Sequence, residues 1–288
     1  MYVIWGTTYY AIKVGIAFWP PFFLVGTRFL VAGGALLAGQ AVRGKAMPNG
    51  RQWCNCALLG LLLLVVGNGA AAVAEHWISS GATVALVSIM PLIVALWSGL
   101  FGEWPRRLEW VALALGAFGT GVMLLGRDLQ VSVLGTAVIL TGTASWSLGT
   151  VLSRRLDVPH GASGFGAEML TAGLVALALS LLLGEHWSVR SPASLWWSWL
   201  YLVVFGSMIA FSAYRYLVER VSATLAATYA YVNPPVALVV GFWLGHESFS
   251  GRLLLGLPIV LCAVALHAWA HAHQAPAPHT ARATSTVS

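Results

Sequence analysis

Ten apolar runs divided by short polar or Pro/Gly breaks take up nearly the whole chain, and a run of about 20 apolar residues has few homes other than a bilayer. They cover residues 2–16, 21–42, 54–78, 82–101, 108–126, 133–153, 164–183, 195–218, 223–244 and 253–270. Inside lipid each backbone N–H and C=O must be satisfied within its own segment, so such runs are helices. Only 8% of the residues are charged, against about 25% in a soluble domain, too few to cover a water-exposed surface. The expected class is all-α: a polytopic membrane protein of ten transmembrane helices with no extramembrane domain. The tail HAHQAPAPHTARATSTVS lacks apolar periodicity and reads as disordered.

Lys and Arg fix the expected orientation. The even-numbered connections hold Arg43, Lys45, Arg51, Arg106, Arg107, Arg154, Arg155 and Arg220, whereas the odd-numbered ones hold Lys13, Arg127, Arg190 and Arg252. Eight against four puts both termini in the cytoplasm. The formal charge of +6 is scattered singly between apolar runs and forms no stripe, so nucleic acid is not an expected partner. The first run is short for a span and its charge follows it, which excludes a signal peptide. Either neighbours shield its cytoplasmic end or the true start lies upstream of Met1.

The two halves of the sequence repeat weakly but in order. IWGTTYYAIK matches SWSLGTVLSR, setting Trp5 against Trp146 and Lys13 against Arg154, 141 positions apart. RFLVAG matches EMLTAG, setting Leu30, Ala32 and Gly33 against Leu170, Ala172 and Gly173 at 140. Pro91 matches Pro234 at 143, and Glu103 matches Glu247 at 144. Because five helices per half is an odd number, the second half enters the membrane from the opposite side. Two inverted five-helix repeats around a central cavity are the architecture of carriers that expose a midplane site alternately to either face. The expected units are residues 1–127, residues 128–272 and a cytoplasmic tail, 273–288.

The segments IWGTTYYAIKVG, RFLVAG, LLLVVGNGAAAVAEHW, SWSLGTVLSR and TYAYVNPPVALVVG resemble the EamA-type branch of the drug/metabolite transporter superfamily, with YedA-like exporters the nearest likeness. The resemblance runs from Trp5 to about Ala270. It implies a ten-helix, two-repeat carrier in the bacterial inner membrane that exports small metabolites, amino acids or amphipathic toxic compounds from a central cavity.

Ionisable groups inside a membrane are costly and generally face a cavity or a partner. Arg28, Glu75, Glu168 and Arg215 are the candidates for gating or proton coupling, with Arg28 expected to pair with Glu75 near the outer face and Glu168 with Arg215 near the inner. Against this, Arg28 and Glu168 hold helices together, and Arg215 snorkels and meets Glu219 four residues on. Trp5, Thr8 and Tyr9 follow helical spacing with Ile12, and with Asn68, Trp146, Tyr229 and Asn233 they are the candidate cavity lining. Other tryptophans, such as Trp19, Trp187 and Trp196, are expected interface anchors. Pro91 and Pro234 each free a carbonyl one turn back and are the candidate hinges.

Nothing in the sequence suggests an enzyme: there is no phosphate-binding glycine loop and no HExxH. Cys54 and Cys56 point to different helix faces, and no metal or other cofactor is expected. The expected partners are a small-molecule substrate, the lipid bilayer and protons. An uptake carrier, or a facilitator or channel, is the alternative to an exporter.

Overall fold

The computed structural model describes residues 1–124, 132–187, 192–245 and 251–273. The expected tail therefore lies outside the described residues apart from His273, as do Arg127, Arg190 and Glu247. Among the described residues ten helices, some of them interrupted, follow one another. They are α1 (Tyr2–Ile16), α2 (Pro21–Val42), α3 (Gly50–Ala74), α4 (Ser80–Val87 and Met90–Leu100), α5 (Arg107–Leu124), α6 (Val133–Leu152), α7 (Ala162–Leu182), α8 (Ala193–Val218), α9 (Ala223–Ala227 and Tyr229–Gly245) and α10 (Gly251–Ala272). The protein is an all-α polytopic membrane protein. Among the described residues α2, α3, α7, α8 and the 82–100 stretch of α4 are long and apolar enough to cross a bilayer. α1, at 15 residues, is shorter, and α6 is diluted by Gly, Ser and Thr.

Most pass boundaries fall within a few residues of the hydropathy breaks, and the caps explain where they differ. α3 begins at Gly50, four residues before its apolar run, because Asn49 and Gln52 form a reciprocal capping box. Its helix ends at Ala74, so Glu75 occupies the C-cap. Ser79, Ser132 and Ser222 each cap the helix they precede. α2 and α7 both stop on a left-handed glycine, Gly44 at φ 65° and Gly184 at φ 67°. The following amide reaches back to Gln40 O and Ser180 O respectively.

Two passes contain long stretches of widened, π-helical turns: Gly60–Asn68 in α3 and Leu202–Ile209 in α8. Such turns leave carbonyls open to other donors. Leu62 O accepts Ser145 Oγ from α6 at 2.9 Å, and Gly206 O accepts Trp5 Nε1 from α1 at 3.1 Å. The starts of the two stretches lie 142 residues apart.

The packing repeats in the same way. α2 lies along α7 and α5 along α10, while α1 packs on α9 and on α8 as α6 packs on α4 and on α3. Exchanging every helix for the one five places away leaves this pattern unchanged. At the α2–α7 contact a Cβ built on Gly33 would stand 2.5 Å from Leu170 N and 2.7 Å from Gly166 O. One built on Gly173 would stand 2.5 Å from Leu30 N and 3.0 Å from Gly26 O. Only glycine allows backbones this close, which is how helices associate where lipid supplies no hydrophobic drive.

The even-numbered connections meet at one end of the bundle. Gln52 and Asn55 of α3 bond Asp157, Arg155 bonds Glu103 at 2.7 Å, and Arg154 bonds Val218 O and Val221 O. At the other end Glu185 accepts the Phe22 and Phe23 amides at 3.2 and 3.0 Å, which places a carboxylate on the positive end of α2. Phe23 and Trp187 stack there at 4.3 Å, and Trp19 meets Trp196 edge to face. Between the two ends the outer surface is apolar, with Leu96, Phe118, Leu174 and Leu261 all more than half exposed, as lipid contact requires.

Candidate functional site

The spacing of Trp5, Thr8, Tyr9 and Ile12 turns one stripe of α1 into the middle of the bundle, where α1, α3, α6 and α9 converge. There it faces a cavity of about 60 Å³, room for a few waters at roughly 10–15 Å³ each. All seven residues picked out as lining, Trp5, Thr8, Tyr9, Asn68, Trp146, Tyr229 and Asn233, border it. Asn68 arrives at the end of the widened stretch of α3 and Asn233 from the second piece of α9.

Aromatic rings close one side of this cavity. Trp5 touches Trp146, Phe211, Tyr214 and Tyr229, with ring centroids between 4.7 and 5.6 Å. Tyr214 is tied to Thr150 and Tyr229 donates to Met90 Sδ at 3.1 Å. Edge-to-face pairs of this kind add to stability beyond their buried area. Beyond the rings lies a second cavity of about 200 Å³, bordered by Arg154, His160, Arg215 and Glu219 near the end that carries the even-numbered connections.

Of the two expected ion pairs one is formed. Arg215 Nη1 lies 3.3 Å from Glu168 Oε1, both side chains being only 6% exposed. Arg215 Nε also bonds Glu219 at 2.9 Å, so the two partners that were alternatives in the sequence are engaged together. Arg28 does not pair with Glu75. Its Nε donates to Ser207 Oγ at 2.7 Å, Ser207 in turn donates to Leu202 O at 3.0 Å, and the guanidinium sits over the Phe29 ring. The widened turns of α8 present that serine to α2, and Arg28 consequently turns toward α8 and borders the central cavity.

Glu75 is elsewhere, with both carboxylate oxygens buried and no hydrogen bond of good geometry to them among the described residues. Lys13 and Tyr9 of α1 lie within electrostatic reach of it, and Ser80 stands beside it. Around the cavity itself three polar atoms lack a hydrogen bond of good geometry: Trp146 Nε1, beside the Tyr214 and Tyr229 hydroxyls, and both polar atoms of the Asn233 amide, beside the Tyr9 hydroxyl, in a residue only 1% exposed. Buried polar groups are seldom left so, and three of them around one cavity mark it as a place for a polar guest.

The two prolines differ in their relation to the helix breaks. α4 is interrupted at Ser88 and Ile89, directly before Pro91, which opens its second piece as a proline does, whereas α9 is interrupted at Thr228, with Pro234 and Pro235 inside its second piece. Each interruption carries a hydroxyl bonded three residues back, Ser88 to Ala85 O at 2.6 Å and Thr228 to Leu225 O at 2.8 Å. Such back-bonding competes with the helix ladder, and a hydroxyl in an apolar run one or two turns before a proline was the signal available in the sequence. Sequence reasoning also passed over Ser207, Phe211 and Tyr214. Gly206 and Ser207 together, in the middle of an otherwise apolar run, were the only trace of the first.

The model of the EamA-like transporter family matches residues 1–125 and 133–269. The inner membrane transporter YedA of Escherichia coli (strain K12) is 42% identical over 267 residues, which span 92% of this chain and 87% of that protein. The transporter YvbV of Bacillus subtilis (strain 168) is 26% identical, with 92% and 88% covered. A solved crystal structure of 21% sequence identity overlays with a TM-score of 0.77 across 94% of each chain and shares the fold.

Proposed function

The chain belongs to the EamA-like transporter family, and on that premise we propose that it is a secondary exporter working by alternating access, for small metabolites, amino acids or amphipathic drug-like compounds. The family is one of membrane transporters, and the chain is not an enzyme. The observation that carries alternating access is the reciprocity of the α2–α7 contact, in which Gly33 and Gly173 occupy the same surroundings with the halves exchanged. Two matched halves of opposite sense, residues 1–127 and 128–272, have two equivalent ways of closing around one site. The match of the family model to each half in turn is in keeping with this.

The central cavity is then the substrate site. The aromatic rings around Trp5, with the Glu168–Arg215 pair beyond them, close the path toward the even-numbered connections. Glu75, a buried carboxyl with Ser80 and Lys13 near it, is the group assigned to exchange a proton as the cavity opens. Ser88 with Pro91, and Thr228 rather than Pro234, mark where α4 and α9 are interrupted. Localisation in the bacterial inner membrane with both termini cytoplasmic follows from the likeness to YedA and from the Lys/Arg bias.

Everted membrane vesicles holding the overproduced protein test the proposal. Candidate amino acids and amphipathic compounds are supplied outside, with and without a proton gradient. Gradient-driven accumulation is the expected result. Equilibration alone would make the protein a facilitator, and accumulation only in right-side-out vesicles would make it an uptake carrier.

A further inference from the structure

Arg28 is 3% exposed, yet only its Nε is engaged by a protein acceptor, and no carboxylate among the described residues pairs with it. A guanidinium held in this way is an unbalanced charge inside a membrane protein. Its five donors form a planar fork that suits a carboxylate, and Ser207 takes the Nε donor, which leaves the terminal nitrogens without a recorded acceptor among the described residues. Asn233 adds a buried amide to the same cavity, with the Tyr9 hydroxyl as its neighbour. The adjoining wall is Trp5, Trp146 and Tyr229, flat and apolar.

We propose that the central cavity binds a small amphipathic organic acid, its carboxylate on the terminal nitrogens of Arg28 and its apolar or aromatic body against Trp5 and Trp146. The proposal rests on the carrier reading above and sharpens it to a substrate class. Because the cavity as it stands admits only a few waters, binding widens it. Gly206 is part of the site, since a Cβ there would stand 2.9 Å from Arg28 Nη2 and 3.1 Å from Thr8 Cγ2.

Thermal unfolding of the full chain in nanodiscs, titrated with 3-phenylpropionate, 3-phenylpropanamide, phenethylamine and inorganic phosphate, reads the site directly, because a ligand that binds the folded state raises Tm in a saturable way. The acid is expected to bind roughly tenfold or more tightly than the amide, the value of one charge-assisted hydrogen bond, and phenethylamine and phosphate to give no saturable shift. Arg28→Gln should abolish the preference for acid over amide, and Arg28→Lys should keep part of it by retaining charge without the fork. If Arg28→Gln does not fold, the acid-to-amide ratio of the unaltered protein still decides. Equal binding of acid and amide, no binding of the acid, protection by the amine or phosphate instead, or acid binding unchanged in Arg28→Gln would each overturn the proposal. Counterflow of the amine or the amide by the unaltered protein in proteoliposomes would leave the carrier reading standing when the acid site fails, and absence of counterflow for every probe together with passive vesicles would remove both.

Discussion

Trp5 and Trp146, 141 positions apart in the chain, meet edge to face at the centre of the bundle with ring centroids 5.6 Å apart and planes at 88°. Their indole nitrogens differ. Trp5 Nε1 donates to Gly206 O at 3.1 Å, whereas Trp146 Nε1 has only the Tyr214 and Tyr229 hydroxyls beside it, neither in good hydrogen-bond geometry. Replacing each by Phe removes the same atoms, so Trp5→Phe should cost about 1 kcal/mol more than Trp146→Phe, the net worth of one buried hydrogen bond. Melting of the two variants in one detergent gives the comparison, and equal losses would mean that the Gly206 bond carries no stability.

Glu168 and Arg215 are both buried, but their positions are unequal because Arg215 has Glu219 as a second partner. Glu168→Gln leaves the arginine paired. Arg215→Gln strands a buried carboxylate and should cost roughly 3–5 kcal/mol, as breaking a buried pair does. The double variant should recover much of that loss. Unfolding free energies in a double-mutant cycle measure this coupling, and strictly additive losses would show that the pair contributes nothing.

Gly33→Val and Gly173→Val should damage the protein alike. Each places side-chain atoms within 2.5 Å of a backbone nitrogen on the facing helix, and backbone cannot step aside as a flexible side chain can. Overpacking of this kind typically costs about 1–3 kcal/mol. The yield of monodisperse protein after membrane extraction is the simplest readout, and normal yield of either variant would show that α2 and α7 tolerate separation.

Glu75→Gln keeps the shape of the side chain and removes its charge and its proton. If Glu75 exchanges the coupling proton, the variant should still move substrate down a concentration gradient while losing both accumulation driven by a pH difference and the pH dependence of exchange. Proteoliposomes with an imposed gradient distinguish the two activities. Undiminished gradient-driven accumulation in the variant would place the coupling group elsewhere.

The cavity lining was legible in the sequence because it depends on local spacing. Trp5, Thr8, Tyr9 and Ile12 share a stripe whichever way α1 is turned, and polar residues in apolar runs have few places to face. The partner of Arg28 was not legible. Arg28 and Ser207 are 179 positions apart, and whether α2 shows its arginine to α3 or to α8 depends on the rotation of each helix about its axis, which hydropathy does not determine. The widened turns of α3 and α8 were hidden for a similar reason. They are held by donors from other helices, Ser145 and Trp5, so nothing within either run announces them.

The contact of α2 with α7 is self-complementary, each helix offering the other the same glycine-lined groove. A surface of that kind is what two identical subunits share across a two-fold axis. The chain therefore carries inside itself the equivalent of a dimer interface, with its two sides free to diverge. That freedom explains how one half came to place a bare guanidinium at the cavity while the other pairs its glutamate with an arginine. In the proposed carrier symmetry would supply the motion, and its local loss the chemistry.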